Sequence, residues 1–262
     1  MRMKPLYRFC KIALPPIFGV FAPTKAIGKK RKYFAKKLPL ILVGNHLANV
    51  DTVVCGIKHK GQVYYLGKKE LMQNKLVAAC LNGLGIIPVD RGQADLSAMR
   101  TVLNHLKAGD TIAIYPEGTR NKVDSRLCKV YGGAAMFALK TKTSIVPFAF
   151  NLPARFMHKN YMLFGDPFEL SDFYNERVNS ETLEKADEIV KQELIKTKRL
   201  VDYIASIKGK TKRNLIRRLN DPTVPFARIY AECESNLLPY DQSVAPDDFD
   251  QTQKRSKKKK TK

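Results

Sequence analysis

His46 and Asp51 stand five residues apart just after the apolar run Pro39-Leu40-Ile41-Leu42-Val43-Gly44, where a buried strand would end. An imidazole beside a carboxylate is the pairing of a general base and the group that orients it. No serine or cysteine lies between them, so an attacking hydroxyl or thiol would have to come from a substrate. On a regular helix five residues turn through about 500°, which leaves the two side chains about 140° apart around the axis. They can meet only across a strand-to-helix turn, with His46 before the helix and Asp51 in its first turn.

Three further blocks could serve the same chemistry. Gly85-Ile86-Ile87-Pro88-Val89-Asp90-Arg91 reads as a strand that delivers Arg91 to a loop, and Tyr115-Pro116-Glu117-Gly118-Thr119-Arg120 follows a strand in the same way. The fourth block, Ile145-Val146-Pro147-Phe148-Ala149-Phe150, is a strand with no polar side chain until Asn151. Taken singly each has an ordinary reading: a lone His is more often packed or at the surface, an Arg is a surface charge, and Gly118-Thr119 is a turn. Taken together they place a base, its carboxylate and two guanidinium groups at the ends of strands. A guanidinium fork pairs two oxygens at once, which suits a phosphate.

The elements that must position these residues follow from periodicity. Leu40 to Val43, Val63 to Leu66, Ile86 to Val89, Thr111 to Tyr115, Ile145 to Phe150 and Tyr161 to Phe164 read as strands. Val50 to Lys58, Lys75 to Asn82, Leu96 to Lys107 and Gly132 to Lys142 read as helices between them, and Ser180 opens a long helical stretch. After Asp221-Pro222 no clear periodicity remains. Strands alternating with helices predict an α/β fold: a single domain with a largely parallel central sheet flanked by helices, in which ligands gather beyond the carboxyl ends of the strands. The expected organisation is an N-terminal amphipathic and basic segment over residues 1–37, the folded domain over 38–240, and a disordered basic tail over 241–262.

With 262 residues and 44% hydrophobic content the chain can bury a sizeable core. Lys and Arg outnumber Asp and Glu by 47 to 24, and the net charge of +23 predicts attraction to anionic surfaces or substrates. Five cysteines (Cys10, Cys55, Cys80, Cys128, Cys233) without a CxxC pair argue against a disulfide framework and against a zinc site, and fit a reducing compartment. His59, His105 and His158 form no metal-binding spacing, so no metal is expected. No uncharged apolar run approaches the length of a spanning helix, and Pro15-Pro16 would break the longest near the N-terminus, Ile12 to Thr24.

The N-terminal segment mixes Phe9, Ile12, Ile17, Phe18, Val20 and Phe21 with Lys29-Lys30-Arg31-Lys32 and Lys36-Lys37. That mixture suits a helix in the membrane interface, with rings in the acyl boundary and cations on lipid phosphates; a core-packing helix followed by a solvated charge run is the other reading. The lysine-rich end of the tail would touch anionic partners or simply aid solubility.

The order Asn-His-x4-Asp, Gly-x-Ile-x-x-x-Arg, Pro-Glu-Gly-Thr-Arg and Val-Pro-Phe over residues 45–148 resembles the glycerolipid acyltransferase family, of which 1-acylglycerol-3-phosphate acyltransferase is the type. Gly67-Lys68-Lys69-Glu70-Leu71 is similar to the family's region between the first two blocks, whereas Leu47-Ala48 replace the polar residue and serine that members often carry. The resemblance implies that His46 takes the proton of an acceptor hydroxyl attacking a thioester, and that Asp51 holds the imidazole. It further implies that Arg91, Glu117, Gly118, Thr119 and Arg120 bind glycerol phosphate and that Val146 and Pro147 line the acyl side. No cofactor is implied, only an acyl-CoA or acyl carrier protein thioester as co-substrate. The expected partners are lysophosphatidic acid and an anionic membrane surface, with the protein peripheral or monotopic on the cytoplasmic side. Glycerol 3-phosphate or another lysolipid is the alternative acceptor. A non-catalytic basic module for membrane or nucleic acid is the reading from a different class; the absence of any nucleic-acid motif counts against nucleic acid.

Overall fold

Short, uniformly apolar runs make the centre of the molecule, as expected of parallel strands buried on both faces. The computed structural model describes residues 3–28, 39–90, 95–118, 120–121 and 133–240. In chain order the elements are helix α1 (Pro5–Phe21), strands β1 (Thr24–Ile27) and β2 (Leu40–Gly44), α2 (Val50–Lys58), β3 (Val63–Lys68), α3 (Lys75–Gly83), β4 (Ile86–Val89), α4 (Leu96–Lys107), β5 (Thr111–Ile114) and α5 (Gly133–Thr141). There follow β6 (Ile145–Phe150), β7 (Asn160–Phe164), the long α6 (Ser180–Ser206), α7 (Gly209–Leu219) and α8 (Phe226–Cys233).

The seven strands form one sheet in the order β1-β7-β6-β2-β5-β3-β4. Every pairing is parallel except β6 with β7. β2 lies at the centre, with Leu42 opposite Ala113 of β5 on one side and Val146 of β6 on the other. Its side chains alternate between two cores. Ile41 and Val43 join Val102, Phe137, Ala138 and Val190 beneath α4, α5 and α6, and Leu42 joins Val54, Cys55, Phe148 and Phe164 on the α2 side. A third apolar cluster packs the end of α6, α7 and α8 against Ile27, Tyr161 and Leu163. Polar caps set the helix starts: Asp95 accepts from the Ala98 N–H at α4, and Asn179 accepts from the Thr182 N–H at α6.

The expected strands and helices are present, and three features differ from the sequence reading. α1 runs through Pro15 and Pro16. Each proline removes one backbone bond, to Lys11 and Ile12, on a turn whose Ile12 is open to solvent that can take up a freed carbonyl. The sheet also begins before residue 38: β1 pairs in register with β7, Thr24 opposite Asn160, so the N-terminal stretch contributes an edge strand. Finally α7 and α8 are regular helices where little or no periodicity was legible, since only Leu215, Ile216, Leu219, Phe226, Ile229 and Tyr230 need face the core in helices this short. The basic cluster of residues 29–37 and the tail of 241–262 lie outside the described residues.

Candidate active site

β2 ends at Gly44 because nothing larger fits: a Cβ there would sit 2.2 Å from the ring of Phe148 on β6. The next residue, Asn45, is wholly buried, and its side chain donates to the Phe150 carbonyl (3.0 Å) and accepts from the Phe150 N–H (2.8 Å). This amide ties the exit of β2 to the last residue of β6, and fixes where the chain turns away.

His46 leaves that turn before α2 starts, and Asp51 sits in the first turn of α2. The two therefore meet, Nδ1 to Oδ2 at 3.2 Å. The same Oδ2 accepts the N–H groups of Leu47 (2.7 Å) and Ala48 (2.6 Å), so the carboxylate is pinned by the loop it orients. A carboxylate at a helix amino end is also favoured by the helix dipole. Asp51 is fully buried whereas the His46 side chain keeps 17% of its surface. With Nδ1 turned to the carboxylate, Nε2 is the basic edge left for a reactant.

The third block holds His46 from two other directions. Glu117 is buried and its Oε1 accepts the His46 N–H at 2.9 Å, while the Asn121 N–H donates to the His46 carbonyl at 2.8 Å. Gly118, between them, has φ +64°, the left-handed region that suits glycine, and turns the loop back toward β2. Arg120 precedes Asn121 and so stands one residue from the backbone of the base. Tyr115 stacks on the imidazole, ring centroids 4.3 Å apart and planes 19° apart, and is itself packed edge-on by Phe148. Burial pushes the Tyr115 hydroxyl well above its ordinary pKa, so it stays neutral.

Thus His46, Asp51, Glu117, Gly118 and Arg120 come together at the carboxyl ends of β2 and β5. Glu117 is turned inward onto the His46 backbone and acts as a positioning group. Val146 belongs to the apolar cluster on the Asp51 side of the sheet. Pro147 faces the other way, as strand alternation requires, near Gly165 and Thr197, so the structure does not bring it to His46. Arg91 and Thr119 lie outside the described residues; β4, which leads to Arg91, is three strand places from β2, about 14 Å across the sheet. Asn45 and Tyr115 are the two site residues to which the sequence reading gave no role. The polar Asn45 at the end of a wholly apolar strand was the available signal for one; nothing in the sequence marked the other.

Cys55 is the nearest described thiol in the same core, and burial pushes it up to about 12, so no thiolate nucleophile is available there. Among the described residues no group of three His, Cys, Asp or Glu is placed to hold a metal ion. The arrangement is that of a general base with an anchored orienter.

The family described as acyltransferase matches residues 27–151. A 1-acyl-sn-glycerol-3-phosphate acyltransferase of Bacillus subtilis is 29% identical over 174 residues, covering 64% of this chain and 85% of its own. One from Streptococcus pneumoniae is 30% identical, covering 55% of this chain and 54% of its own. Among solved structures, the 1-acyl-sn-glycerophosphate (LPA) acyltransferase PlsC of Thermotoga maritima shares the fold with a TM-score of 0.57 at 22% identity, over 79% of this chain and 81% of that one.

Proposed function

Because this chain belongs to the acyltransferase family, we propose that it moves a fatty acyl group from a thioester to the free hydroxyl of 1-acylglycerol 3-phosphate, giving phosphatidic acid. The observation that carries this reading is the His46–Asp51 contact at 3.2 Å, with Nε2 left as a base and no serine or cysteine of the protein in reach of it among the contacts described. The names of the relatives supply the acceptor.

In this reading the acceptor hydroxyl loses its proton to His46 Nε2 as its oxygen attacks the thioester carbonyl. Asp51 stabilises the imidazolium that forms. Collapse of the tetrahedral intermediate breaks the C–S bond, and the imidazolium returns the proton to the departing sulfur, leaving an ester and a free thiol. Arg120, with Arg91 in the same role, pairs the acceptor phosphate. The thioester carrier is acyl-CoA or acyl carrier protein.

A membrane surface is the natural source of such an acceptor, and the outer face of α1 supports that reading. Phe9, Ile12, Ile17, Val20 and Phe21 are all about half exposed or more. Phe21 packs on Phe156 at 5.3 Å, and the loop between β6 and β7 adds the exposed Phe156, Met157 and Leu152. That loop leaves the carboxyl end of β6, the end of the sheet at which His46 stands. The inner face of α1 is held by Tyr7, which accepts the Val63 N–H, and by Lys11, which donates to the carbonyls of Gly56, His59 and Gly61. No helix among the described residues is long and apolar enough to cross a membrane.

The test is thiol release from acyl-CoA and from acyl carrier protein with lysophosphatidate or glycerol 3-phosphate as acceptor, in the presence of lipid vesicles. Activity with lysophosphatidate that disappears in His46→Ala is expected. An active His46→Ala enzyme refutes the mechanism, and activity with glycerol 3-phosphate alone refutes the acceptor.

A further inference from the structure

Across the sheet from His46, along the edge made by β3, β4 and α4, lies a groove of about 180 Å³, lined by Lys4, Tyr64, Ile87, Ser97, Thr101 and His105 among others. It holds a second His-x4-Asp pair. His105 closes the last turn of α4 and its Nδ1 meets Oδ2 of the buried Asp110 at 2.8 Å. The Tyr64 ring lies against the imidazole, centroids 4.0 Å apart. As at His46, a carboxylate on Nδ1 leaves Nε2 for something else.

This pair cannot serve a nucleophile of the protein. Ser97 is eight residues away on α4, about 12 Å along the axis. The Thr101 hydroxyl is already given to the Ser97 carbonyl at 2.9 Å. The groove is built for binding, and its groups are mostly donors. Lys4 gives one ammonium proton to the Asn82 carbonyl at 2.8 Å and has two more. Gln62 Nε2 is buried with no hydrogen-bond partner, although its Oε1 accepts the Lys4 N–H at 2.9 Å. That orphaned amide lies 3.2 Å from where a Cβ on Gly85 would stand, and Gly85 lines the groove. A buried donor left unmade is unfavourable, and a ligand oxygen that reached it would relieve this. With Asp110 matched to His105, the Lys4 ammonium is the charge left facing the groove.

We propose that this groove is a second ligand site, taking a small oxyanion, phosphate or carboxylate, on Lys4 and His105, with the Gln62 amide behind Gly85 at its wall. β4 is three strand places from β2, about 14 Å across the sheet, so a ligand held by Lys4 and His105 at this edge is not the acyl acceptor held at His46. The site therefore stands whether or not the acyl-transfer reading does.

The experiment follows the ring signals of the four histidines in the full chain, labelled with ¹³C-histidine, during titration with inorganic phosphate and, separately, acetate. Sodium chloride at matched ionic strength is the baseline. The His105 signal should move saturably with at least one of the two anions while exposed His158 follows the baseline, and the anion that saturates identifies the head group. Lys4→Gln should weaken binding about tenfold, the loss of one charge-assisted hydrogen bond. Gln62→Glu, which puts a carboxylate beside the groove, should abolish saturation and carries the test if the Lys4 variant does not fold. A His105 response that tracks chloride for both anions, or a binding curve that Gln62→Glu leaves unchanged, overturns the assignment.

Discussion

Replacing Asp51 by Asn removes one charge and little else. Oδ2 already accepts two backbone N–H groups, at 2.7 and 2.6 Å, so the amide oxygen of an asparagine is drawn to the same place and the NH₂ takes the position of Oδ1, which has no partner. The oxygen still faces His46 Nδ1, the tautomer is kept, and the fold should survive. What goes is the attraction between carboxylate and imidazolium in the transition state. At 3.2 Å and an effective dielectric of about 20 that attraction is about 5 kcal/mol, and water at the open edge of the imidazole leaves roughly half. Each 1.36 kcal/mol is tenfold in rate, so kcat should fall by about 10² to 10⁴. KM for either substrate should change little, since the carboxylate charge is called on only as the proton moves to the imidazole. Free-thiol release under saturating donor and acceptor measures this, with the melting temperature as a control on folding. A folded Asp51→Asn enzyme within about fivefold of the parent kcat would refute the claim that Asp51 stabilises a developing imidazolium.

The remaining expectations concern the scaffold and its surface. Asn45→Ala strands a buried N–H and a buried C=O of Phe150, costing about 2–5 kcal/mol and lowering the melting temperature by about 5–15 °C; an unchanged melt means the tie between β2 and β6 is dispensable. Burial lowers the pKa of His59 to about 4, so between pH 6.5 and 4 the unfolded chain binds a proton that the folded one does not. Stability should therefore drop by about 3 kcal/mol as pH falls through that window, and His59→Gln should remove this part of the acid sensitivity in denaturant melts. Burial raises the Asp187 carboxyl to about 6, the opposite sign, so Asp187→Asn should stabilise the protein at pH 7.5, by about 1 kcal/mol after solvent screening, with no gain at pH 3. Phe9→Ser with Phe156→Ser removes two exposed rings and should weaken co-sedimentation with anionic vesicles about a hundredfold; unchanged sedimentation returns α1 to a purely packing role.

The sheet was legible because buried parallel strands are continuous apolar runs. Leu40 to Gly44 has no polar side chain, and all five residues are buried. β1 was hidden by its composition: Thr24-Lys25-Ala26-Ile27 is short and mixed, and it becomes a strand only by lying along β7 at an edge. α7 and α8 were hidden for a related reason, since three core-facing residues in a helix this short leave a weak pattern. At the site, His46 and Asp51 could be named from chemistry alone, and the condition that one precede the helix and the other open it is what the turn provides. The inward direction of Glu117 and the reversed face of Pro147 could not be read. Both depend on which side of a strand or loop the neighbours occupy, which sequence order does not encode.

Three of the four blocks work as one object because the contacts among them end on backbone groups. Glu117 takes the His46 N–H, Asn121 gives its N–H to the His46 carbonyl, and Asn45 closes both polar groups of Phe150. The base is therefore gripped on either side by the loop that carries Arg120. Any shift of that loop moves the backbone of the base with it. Tyr115 adds the remaining constraint: a ring stacked at 4.3 Å leaves the imidazole free to slide in its plane toward Asp51 but not to flip away from it. A substrate hydroxyl then has to be brought only to Nε2, and an acceptor held by its phosphate a few atoms away meets that requirement without any group of the protein becoming acylated.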